Sequence, residues 1–408
     1  MLAFASYIAV IVFALLPLVW AWRFDRYIAW RSRNPFPAPT RWPQVAVILP
    51  LRGADPSIER CLAGLLNQDY SPYSVRIVVD SVQDPAWEMV QSALTRERRS
   101  DVGVQIEVLD AIGAKCSLKV SAQRQAISQL DGQVEVVAFL DGDSIPAADW
   151  LRSMIVPLSD PKVGVASGIR WFTPTTDNLG SWIRHLNNCA CFMNMYIFKI
   201  PWGGSMAIRR TVIDEAGLLA HWSQCFCEDV SVHGPVTDLG LSIIFVPAAT
   251  QFNAETIDAR GAYRFILRQF LCAHLHHRRW PVVLACNLLN FAALQICFGA
   301  FIIAVVIDNW ALAAAGGLVP AIYLTGMLVS LRASEMLLRQ QNNSPPPIQR
   351  GWWPLIAIVP TILVSMYAMI AVLFIRRITW RGVTYDIEPT GGIRLREYRP
   401  YRNDGGTP

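Results

Sequence analysis

Charged side chains are scarce in this sequence. Asp, Glu, Lys and Arg together make up 16% of its 408 residues, whereas hydrophobic residues make up 53%. This composition excludes an intrinsically disordered chain, and a mean hydropathy of +0.31 is too high for an ordinary soluble domain. The charge that is present is too much for membrane helices alone, so the composition predicts a soluble domain joined to membrane segments.

Lysine is also scarce, and the formal net charge is only +5. Arginine supplies nearly all of the basic side chains, because the only lysines are Lys115, Lys119, Lys162 and Lys199. So small a positive charge does not suggest nucleic acid as a partner.

The nine cysteines include no C-x-x-C pair, which is the spacing of many zinc and redox motifs. We interpret the cysteines as reduced, mostly buried thiols of a cytosolic compartment. A disulfide or zinc framework is the alternative interpretation.

Four long stretches contain no charged residue, namely 2–22, 281–307, 311–331 and 353–375. Each is long enough to cross a bilayer. The first lacks the basic start and small-residue cleavage site of a signal peptide, so we interpret residues 1–22 as an anchor. Arginines follow it at once. The positive-inside rule therefore places the amino terminus outside and residues 23–280 in the cytoplasm as a soluble domain.

Residues 281–375 form a second membrane region, and the basic tail 376–408 conflicts with a simple count of its spans. Counting places the tail outside, yet its arginines favour the cytoplasm. They are Arg376, Arg377, Arg381, Arg394, Arg396, Arg399 and Arg402. We interpret 353–375, which Pro360 interrupts, as a re-entrant or interfacial segment that keeps the tail cytosolic. The alternative is a proline-kinked span with an external tail.

Short runs rich in β-branched residues alternate with helical segments in the soluble domain. The runs are VAVILP, VRIVVD, VQIEVLD, VEVVAFLD and VGVASGI, which begin at residues 45, 75, 104, 134 and 163. Alternating strands and helices predict an α/β domain with a mostly parallel sheet. Ligands of such sheets bind at the carboxyl ends of the strands.

Acidic residues stand at two of these strand ends, because Asp80 ends the second run and Asp141 the fourth. Asp141 and Asp143 flank Gly142. Two such carboxylates can hold a divalent cation, and the glycine lets a phosphate approach closely. Acids at strand ends are also often plain helix caps or turn formers.

Three further groups of candidate residues follow. They are Gly203, Gly204 and Ser205, then Glu228 and Asp229, and finally the HHRRW segment that runs from His276 to Arg279 and Trp280. The small residues can lie against a flat or bulky ligand, and a buried carboxylate of the acidic pair can act as a general base. The alternatives are a turn into a strand, a solvated helix start and a membrane-interface belt of arginine and tryptophan.

Taken in order, these segments resemble the membrane-bound processive and lipid glycosyltransferases, the broad family 2 group with a GT-A fold that includes cellulose and hyaluronan synthases. The likeness is greatest to the ceramide glucosyltransferases. It rests on PLRGADP, VVDSVQDPA, LKVSAQRQ, DGDS, GGSMAIRR, CEDV, HHRRW and the W-R-x-x-x-Y tail motif in ITWRGVTY. The resemblance implies a GT-A domain, of fold class α/β with a mostly parallel sheet, joined to transmembrane helices.

The resemblance also implies the substrates and the donor site. The implied donor is a UDP-sugar, with glucose as the expected sugar, and the implied acceptor is a membrane lipid such as ceramide. Asp80 and Asp84 would bind the uracil or the ribose, and Lys119 a phosphate or the base edge. Arg279 would clamp the diphosphate, and Trp280 would border the acceptor hydroxyl.

The resemblance implies the catalytic groups as well. Asp141 and Asp143 would hold Mg²⁺ or Mn²⁺ across the two phosphates. Asp229 would take the proton of the acceptor hydroxyl as general base, with Glu228 orienting it, and the anomeric carbon would be inverted. The sugar and acceptor pocket would be formed by Gly203, Gly204, Ser205 and His276, which stands at the first position of the family's Q/R-x-x-R-W motif.

Other function classes are weaker interpretations of the same residues. A processive polysaccharide synthase generally needs a channel of more membrane helices than this sequence predicts. A polyprenyl-phosphate sugar synthase is a second alternative. A receptor that binds nucleotide sugar without turnover is a third, and the presence of Asp141, Asp143 and Asp229 disfavours it.

A cysteine introduced at Gly405 tests the side of the tail. Because the tail arginines favour the cytoplasm, we expect an impermeant thiol reagent to label this cysteine only after the cells are permeabilised. The unmodified chain is the control, since it has nine cysteines of its own. Labelling on intact cells would show that the tail is external.

Overall fold

The computed structural model of the protein describes residues 2–96, 102–341, 351–389 and 391–401. Its helices are α1 (Leu2–Arg33), α2 (Ile58–Leu66), α3 (Pro85–Arg96), α4 (Leu118–Ser128), α5 (Trp150–Ile155), α6 (Leu179–Phe198), α7 (Arg210–Glu215), α8 (Leu218–Trp222), α9 (Glu228–Ser231), α10 (His233–Asp238), α11 (Ala259–His276), α12 (Trp280–Val306), α13 (Trp310–Gln340) and α14 (Trp353–Ala371). Its strands are β1 (Val45–Leu51), β2 (Tyr73–Val79), β3 (Gly103–Val108), β4 (Val136–Leu140), β5 (Val163–Ser167), β6 (Arg170–Phe172), β7 (Ser205–Arg209), β8 (Ser242–Phe245), β9 (Gln251–Asn253), β10 (Arg377–Trp380), β11 (Val383–Ile387) and β12 (Ile393–Glu397). Arg402 and Gly405 lie outside the described residues.

Seven strands form the central sheet, in the order β3-β2-β1-β4-β7-β5-β8. β3, β2, β1 and β4 are parallel neighbours, and β5 is parallel to β8. β7 lies antiparallel between β4 and β5. The predicted mostly parallel α/β sheet is thus confirmed. The small-residue motif leads directly into a strand, because β7 begins at Ser205.

Both faces of the sheet are buried, as expected for continuous hydrophobic runs. Val47 and Leu49 of β1 pack into one core with side chains of α2, α3 and α5. Ala46 and Ile48 point to the opposite face and pack with side chains of α4 and α8. The helices thus fix the sheet from both sides, and the carboxyl ends of β1, β2 and β4 share one edge.

Among the residues that the structure describes, four helical segments are long and apolar enough to cross a membrane: Ile8–Arg33 within α1, and α12, α13 and α14. α1, α12 and α13 pack against one another. α14 packs mainly on α6 and α11 of the central domain, which is the predicted soluble domain of residues 23–280. α1 continues as one helix well past the expected end of the anchor at residue 22. Beyond residue 22, Phe24 and Ile28 are buried in one hydrophobic cluster with Trp171 of the central domain, which stabilises this extension of the helix.

The tail folds as a small antiparallel sheet, β10-β11-β12, on the central domain. The hydroxyl of Tyr385 in β11 accepts the N–H of Leu118 at 3.1 Å. Leu395 in β12 donates its N–H to the carbonyl of Ala114 at 2.8 Å. The tail therefore covers the start of α4, where Lys119 lies.

Tyr385→Phe should weaken this docking. The Tyr385 side chain is buried, so removing its oxygen leaves the N–H of Leu118 without a partner away from water. An unpaired buried donor costs about 1–3 kcal/mol. We expect a lower melting temperature and faster limited proteolysis of the tail. Tyr367→Phe is the control, because that side chain is exposed. Equal behaviour of the two variants would contradict a role for the Tyr385 hydroxyl in docking.

Candidate active site

Three segments converge at the carboxyl-terminal edge of the sheet. Asp141 directly follows β4, and Lys119 lies in the first turn of α4. Glu228 and Asp229 begin α9. Residues that the sequence presents as separate motifs are thus brought together.

A partly buried lysine, with 18% of its side chain exposed, joins the carboxylates of two of these segments. Lys119 Nζ lies 2.7 Å from Asp141 Oδ1 and 2.8 Å from Glu228 Oε1. Burial raises the pKa of Glu228 above its ordinary value, although Lys119 opposes the shift. Burial lowers the pKa of Lys119, but Asp141 and Glu228 outweigh it, so this pKa is raised overall. Loss of Lys119 would leave a buried carboxylate without its counter-ion.

Arg170, at the start of β6, lies between the two aspartates of the DGD motif. Its Nη2 is 2.9 Å from Asp141 Oδ2 and 2.7 Å from Asp143 Oδ1, and its Nη1 is 2.8 Å from Asp143 Oδ2. Burial favours a raised pKa for Asp141, but Lys119 and Arg170 outweigh it, so the pKa is lowered. Arg170 was not among the predicted site residues, because nothing in its local sequence, GIRWF, distinguishes it from a surface arginine.

The predicted metal pair does not fit a divalent cation while Arg170 holds this position. Three of the four carboxylate oxygens of Asp141 and Asp143 accept hydrogen bonds from the guanidinium, and the fourth pairs with Lys119. Within the part of the chain that the structure describes, no group of three or more His, Cys, Asp or Glu could hold a metal ion. A divalent cofactor therefore stays a prediction for this protein.

Gly203 and Gly204 lie directly against the acids. The N–H of Gly203 donates to Asp229 Oδ2 at 2.8 Å. A Cβ on Gly203 would lie 2.0 Å from Glu228 Oε1, and a Cβ on Gly204 would lie 2.6 Å from Asp141 Oδ2. Close packing against the carboxylates therefore requires glycine at both positions.

Ser205 and His276 hold other parts of the backbone in place. Ser205 Oγ accepts from Trp150 Nε1 at 2.8 Å and donates to the carbonyl of Ala249 at 3.1 Å. His276 Nε2 accepts the N–H of Phe226 at 2.9 Å, and burial lowers the pKa of His276 to about 4, so the ring is neutral. These contacts make both residues structural supports of the site, and their predicted place in the acceptor pocket stays a prediction.

The HHRRW segment contributes one side chain to a cavity that runs from the acids to the membrane helices. Trp280 is buried and lines the cavity, whereas Arg279 is exposed and does not. Arg268, one of several arginines in α11, lines the cavity together with Arg170, and sequence spacing gave no signal for it. Arg279 lies outside this lining, and its predicted contact with a diphosphate stays a prediction.

Asp80 directly follows β2, and Asp84 stands immediately before α3. Asp80 forms an ion pair with Arg52 and accepts the N–H of Tyr401 at 3.0 Å. Asp84 accepts the N–H of Gly53 at 2.9 and 3.0 Å and thereby fixes the loop after β1. Arg52 and Tyr401 were not predicted as site residues. Arg52 stands in PLRGADP, which could have indicated it, but Tyr401 carries no such signal.

The W-R-x-x-x-Y motif of the tail contacts the loop after β1. Arg381 and Gly382 form the two-residue turn between β10 and β11, and both have positive φ, as this type of hairpin turn requires. Arg381 Nη1 donates to the carbonyl of Arg52 at 2.5 Å, and Arg52 Nε donates to the carbonyl of Arg381 at 2.9 Å. The tail therefore packs beside Asp80.

A cavity of about 280 Å³ runs from the acids to the membrane helices. One end is lined by Lys119, Asp141, Glu228 and Asp229. The other end is lined by side chains of α12, α13 and α14, among them Asn287, Asn290, Phe291, Tyr323, Ser365 and Met369. The cavity is thus polar at the acids and of mixed polarity toward the membrane helices.

Comparison with known proteins identifies the family. The family model described as glycosyl transferase family 21 matches residues 3–393, nearly the whole chain. The chain belongs to this family. The motifs indicated the broad family 2 group, whereas the matching model is that of family 21.

Two curated relatives match parts of this family 21 glycosyltransferase. Glycosyltransferase AglE of Haloferax volcanii is 28% identical over 133 residues, which cover 32% of this chain and 40% of that protein. A ceramide glucosyltransferase of Komagataella phaffii is 27% identical over 73 residues, which cover 18% of this chain and 14% of that protein. The chain thus spans less than half the length of each relative, and the ceramide glucosyltransferase likeness is confined to a short part.

A solved structure supports the fold. The mannosyltransferase PcManGT from Pyrobaculum calidifontis, in complex with GDP-mannose and Mn²⁺, is similar with a TM-score of 0.50 and 21% sequence identity. The match covers 81% of this chain and 97% of that one. The predicted GT-A fold is therefore confirmed.

Lys119→Gln should shift the pH dependence of transfer. Removing the ammonium leaves the burial of Glu228 unopposed, so the pKa of Glu228 rises further and the carboxyl stays protonated to higher pH. If the reaction needs ionised Glu228, the acid limb of the pH–rate profile moves to higher pH. Lys119→Arg keeps the charge and is the control. The same acid limb in Lys119→Gln and the unmodified enzyme would contradict this coupling.

Proposed function

We propose that this glycosyltransferase moves a sugar from a UDP-sugar to a membrane lipid, with glucose as the first candidate sugar. The observation that carries the proposal is the cavity, which joins the acids at the sheet edge to three helices long enough to cross a membrane. A soluble acceptor needs no such connection. An amphiphile can place its hydroxyl at the acids and its hydrocarbon chain among the helices.

The donor would lie across the carboxyl ends of the strands. Asp80 and Arg52 stand where the loop after β1 and the tail meet, which suits contact with the base and ribose. Lys119, Arg170 and Arg268 line the cavity and supply the positive charge that a diphosphate needs. This charge stabilises the UDP leaving group as its bond to the sugar breaks.

Asp229 is our candidate for the general base. Its Oδ2 accepts the N–H of Gly203 at 2.8 Å and its Oδ1 accepts the N–H of Val230 at 2.7 Å, so backbone contacts hold the carboxylate in one orientation. Asp229 would take the proton as the acceptor oxygen bonds to the anomeric carbon and the bond to UDP breaks. Attack opposite UDP inverts that carbon. Glu228, paired with Lys119, would position Asp229 or the sugar.

The acceptor would occupy the membrane-facing part of the cavity. Asn187 and Asn188 of α6, with Asn287 of α12, offer amide groups to a hydroxyl-bearing headgroup. Phe291 and Met369 offer apolar surface to its chain. A lipid of the ceramide type is the first candidate, on the resemblance of the motifs.

We also propose that the central domain and the tail share the cytosolic side. Leu338, near the end of α13, packs with Trp171 of the central domain, and Tyr385 of the tail packs with Val120 and Phe226 of the same domain. The end of α13 and the tail after α14 therefore both contact the central domain. This arrangement supports a re-entrant or interfacial position for 353–375.

The test is Asp229→Asn in full-length protein reconstituted with UDP-glucose and candidate lipids. The carboxamide keeps the shape of the side chain, so we expect donor binding to persist. Transfer should fall roughly 10²- to 10⁴-fold, the usual contribution of a positioned base. Asp214→Asn is the matched control, because Asp214 is exposed on α7 and pairs with Arg210 of the same helix.

Mass spectrometry of the products separates the alternatives. A discrete glycolipid supports the proposal. A polymer would indicate a processive polysaccharide synthase, and a glycosylated polyprenyl phosphate would indicate a polyprenyl-phosphate sugar synthase. Parallel loss of donor binding and transfer in Asp229→Asn would make Asp229 a donor ligand and not the base.

A further inference from the structure

The guanidinium of Arg170 is held rigidly between the two aspartates. Arg170 begins β6, which pairs in parallel with β9, so its backbone is fixed. The guanidinium lies 4.7 Å from the centre of the Trp202 ring and 5.7 Å from that of Phe172. The Arg170 side chain is only 13% exposed. Aromatic contacts and burial therefore favour a single position of this cation.

The position is the one that a bridging metal ion would need. The guanidinium fork contacts one oxygen of Asp141 and both oxygens of Asp143 at 2.7 to 2.9 Å. A magnesium ion would lie about 2.0–2.1 Å from such oxygens. That space is closed while the nitrogen atoms of Arg170 donate to the same oxygens. The two cations therefore cannot bind these oxygens together.

Each carboxylate oxygen of Asp141 and Asp143 already has a cationic partner without a metal. Arg170 and Lys119 form ion pairs with Asp141, and Arg170 forms one with Asp143. A divalent ion that entered with Arg170 still in place would be repelled by it. Removal of the guanidinium charge would instead leave two neighbouring carboxylates, which are favourable metal ligands.

We propose that Arg170 is an internal cation of this enzyme, which holds the position of a bridging divalent ion and competes with such an ion for Asp141 and Asp143. The resting enzyme then binds divalent ions weakly, and a metal can bridge the pair only after Arg170 turns away. The inference rests on the proposed function only in placing the donor diphosphate beside these aspartates. Its test uses neither donor nor acceptor, so its failure is distinguishable from that of the proposed function.

The experiment measures binding of Mn²⁺ alone to the full-length protein in lipid nanodiscs, with free Mn²⁺ followed by electron paramagnetic resonance. Arg170→Met removes the charge and keeps an unbranched side chain against Trp202. Arg170→Lys keeps the charge and is the matched control. We expect Arg170→Met to bind Mn²⁺ at least about tenfold more tightly than the unmodified protein, and Arg170→Lys to stay close to the unmodified protein.

Several outcomes would overturn the inference. Equal Mn²⁺ affinity of Arg170→Met and the unmodified protein would show that the guanidinium does not compete. An equal gain in Mn²⁺ affinity in Arg170→Lys would show that changed packing, and not the loss of charge, causes the tighter binding. The gain must also vanish when Asp143→Asn is added to Arg170→Met, since a persistent gain would place the ion elsewhere. If the melting curve shows that Arg170→Met does not fold, Arg170→Gln is measured with the same criteria.

Discussion

The contact of Lys119 with Asp141 and Glu228 is the interaction on which the rest of the site depends. These three residues come from α4, the end of β4 and α9, and Glu228 is almost completely buried. A buried carboxylate without a counter-ion is strongly unfavourable. α4, the end of β4 and α9 must therefore lie side by side in the folded protein. Gly203 and Gly204 approach the same acids closely as a result.

The central domain and the membrane helices are built as one unit around this cluster. α1 extends beyond the expected anchor to pack on Trp171, and α14 lies on α6 and α11. The tail sheet covers α4 and the loop after β1 through Tyr385 and Arg381. As a result, one cavity contacts both the acids and the helices of the membrane region.

Much of the fold could be predicted because its signals are local. The five runs of β-branched residues correspond to β1 to β5, since strands buried on both faces form nearly continuous hydrophobic runs. The DGD motif and the acidic pair were recognised because carboxylates at strand ends and in apolar runs are unusual. Ser205 and His276 also stand in recognisable motifs, but the local sequence did not indicate that their side chains hydrogen-bond to backbone groups of Ala249 and Phe226. Their place in the acceptor pocket stays a prediction.

The sequence by itself determined the first five strands, the uncharged stretches and the positions of the acids along the chain, because each of these depends on neighbouring residues. Only the tertiary structure decided which basic side chains form ion pairs with those acids. Arg170 lies 27 and 29 residues from the aspartates that it contacts. Arg268, and not Arg279, reaches the cavity. The physical reason is that the direction of a long side chain depends on packing between elements that are distant in sequence, and in a chain with so many arginines composition cannot tell which of them is buried.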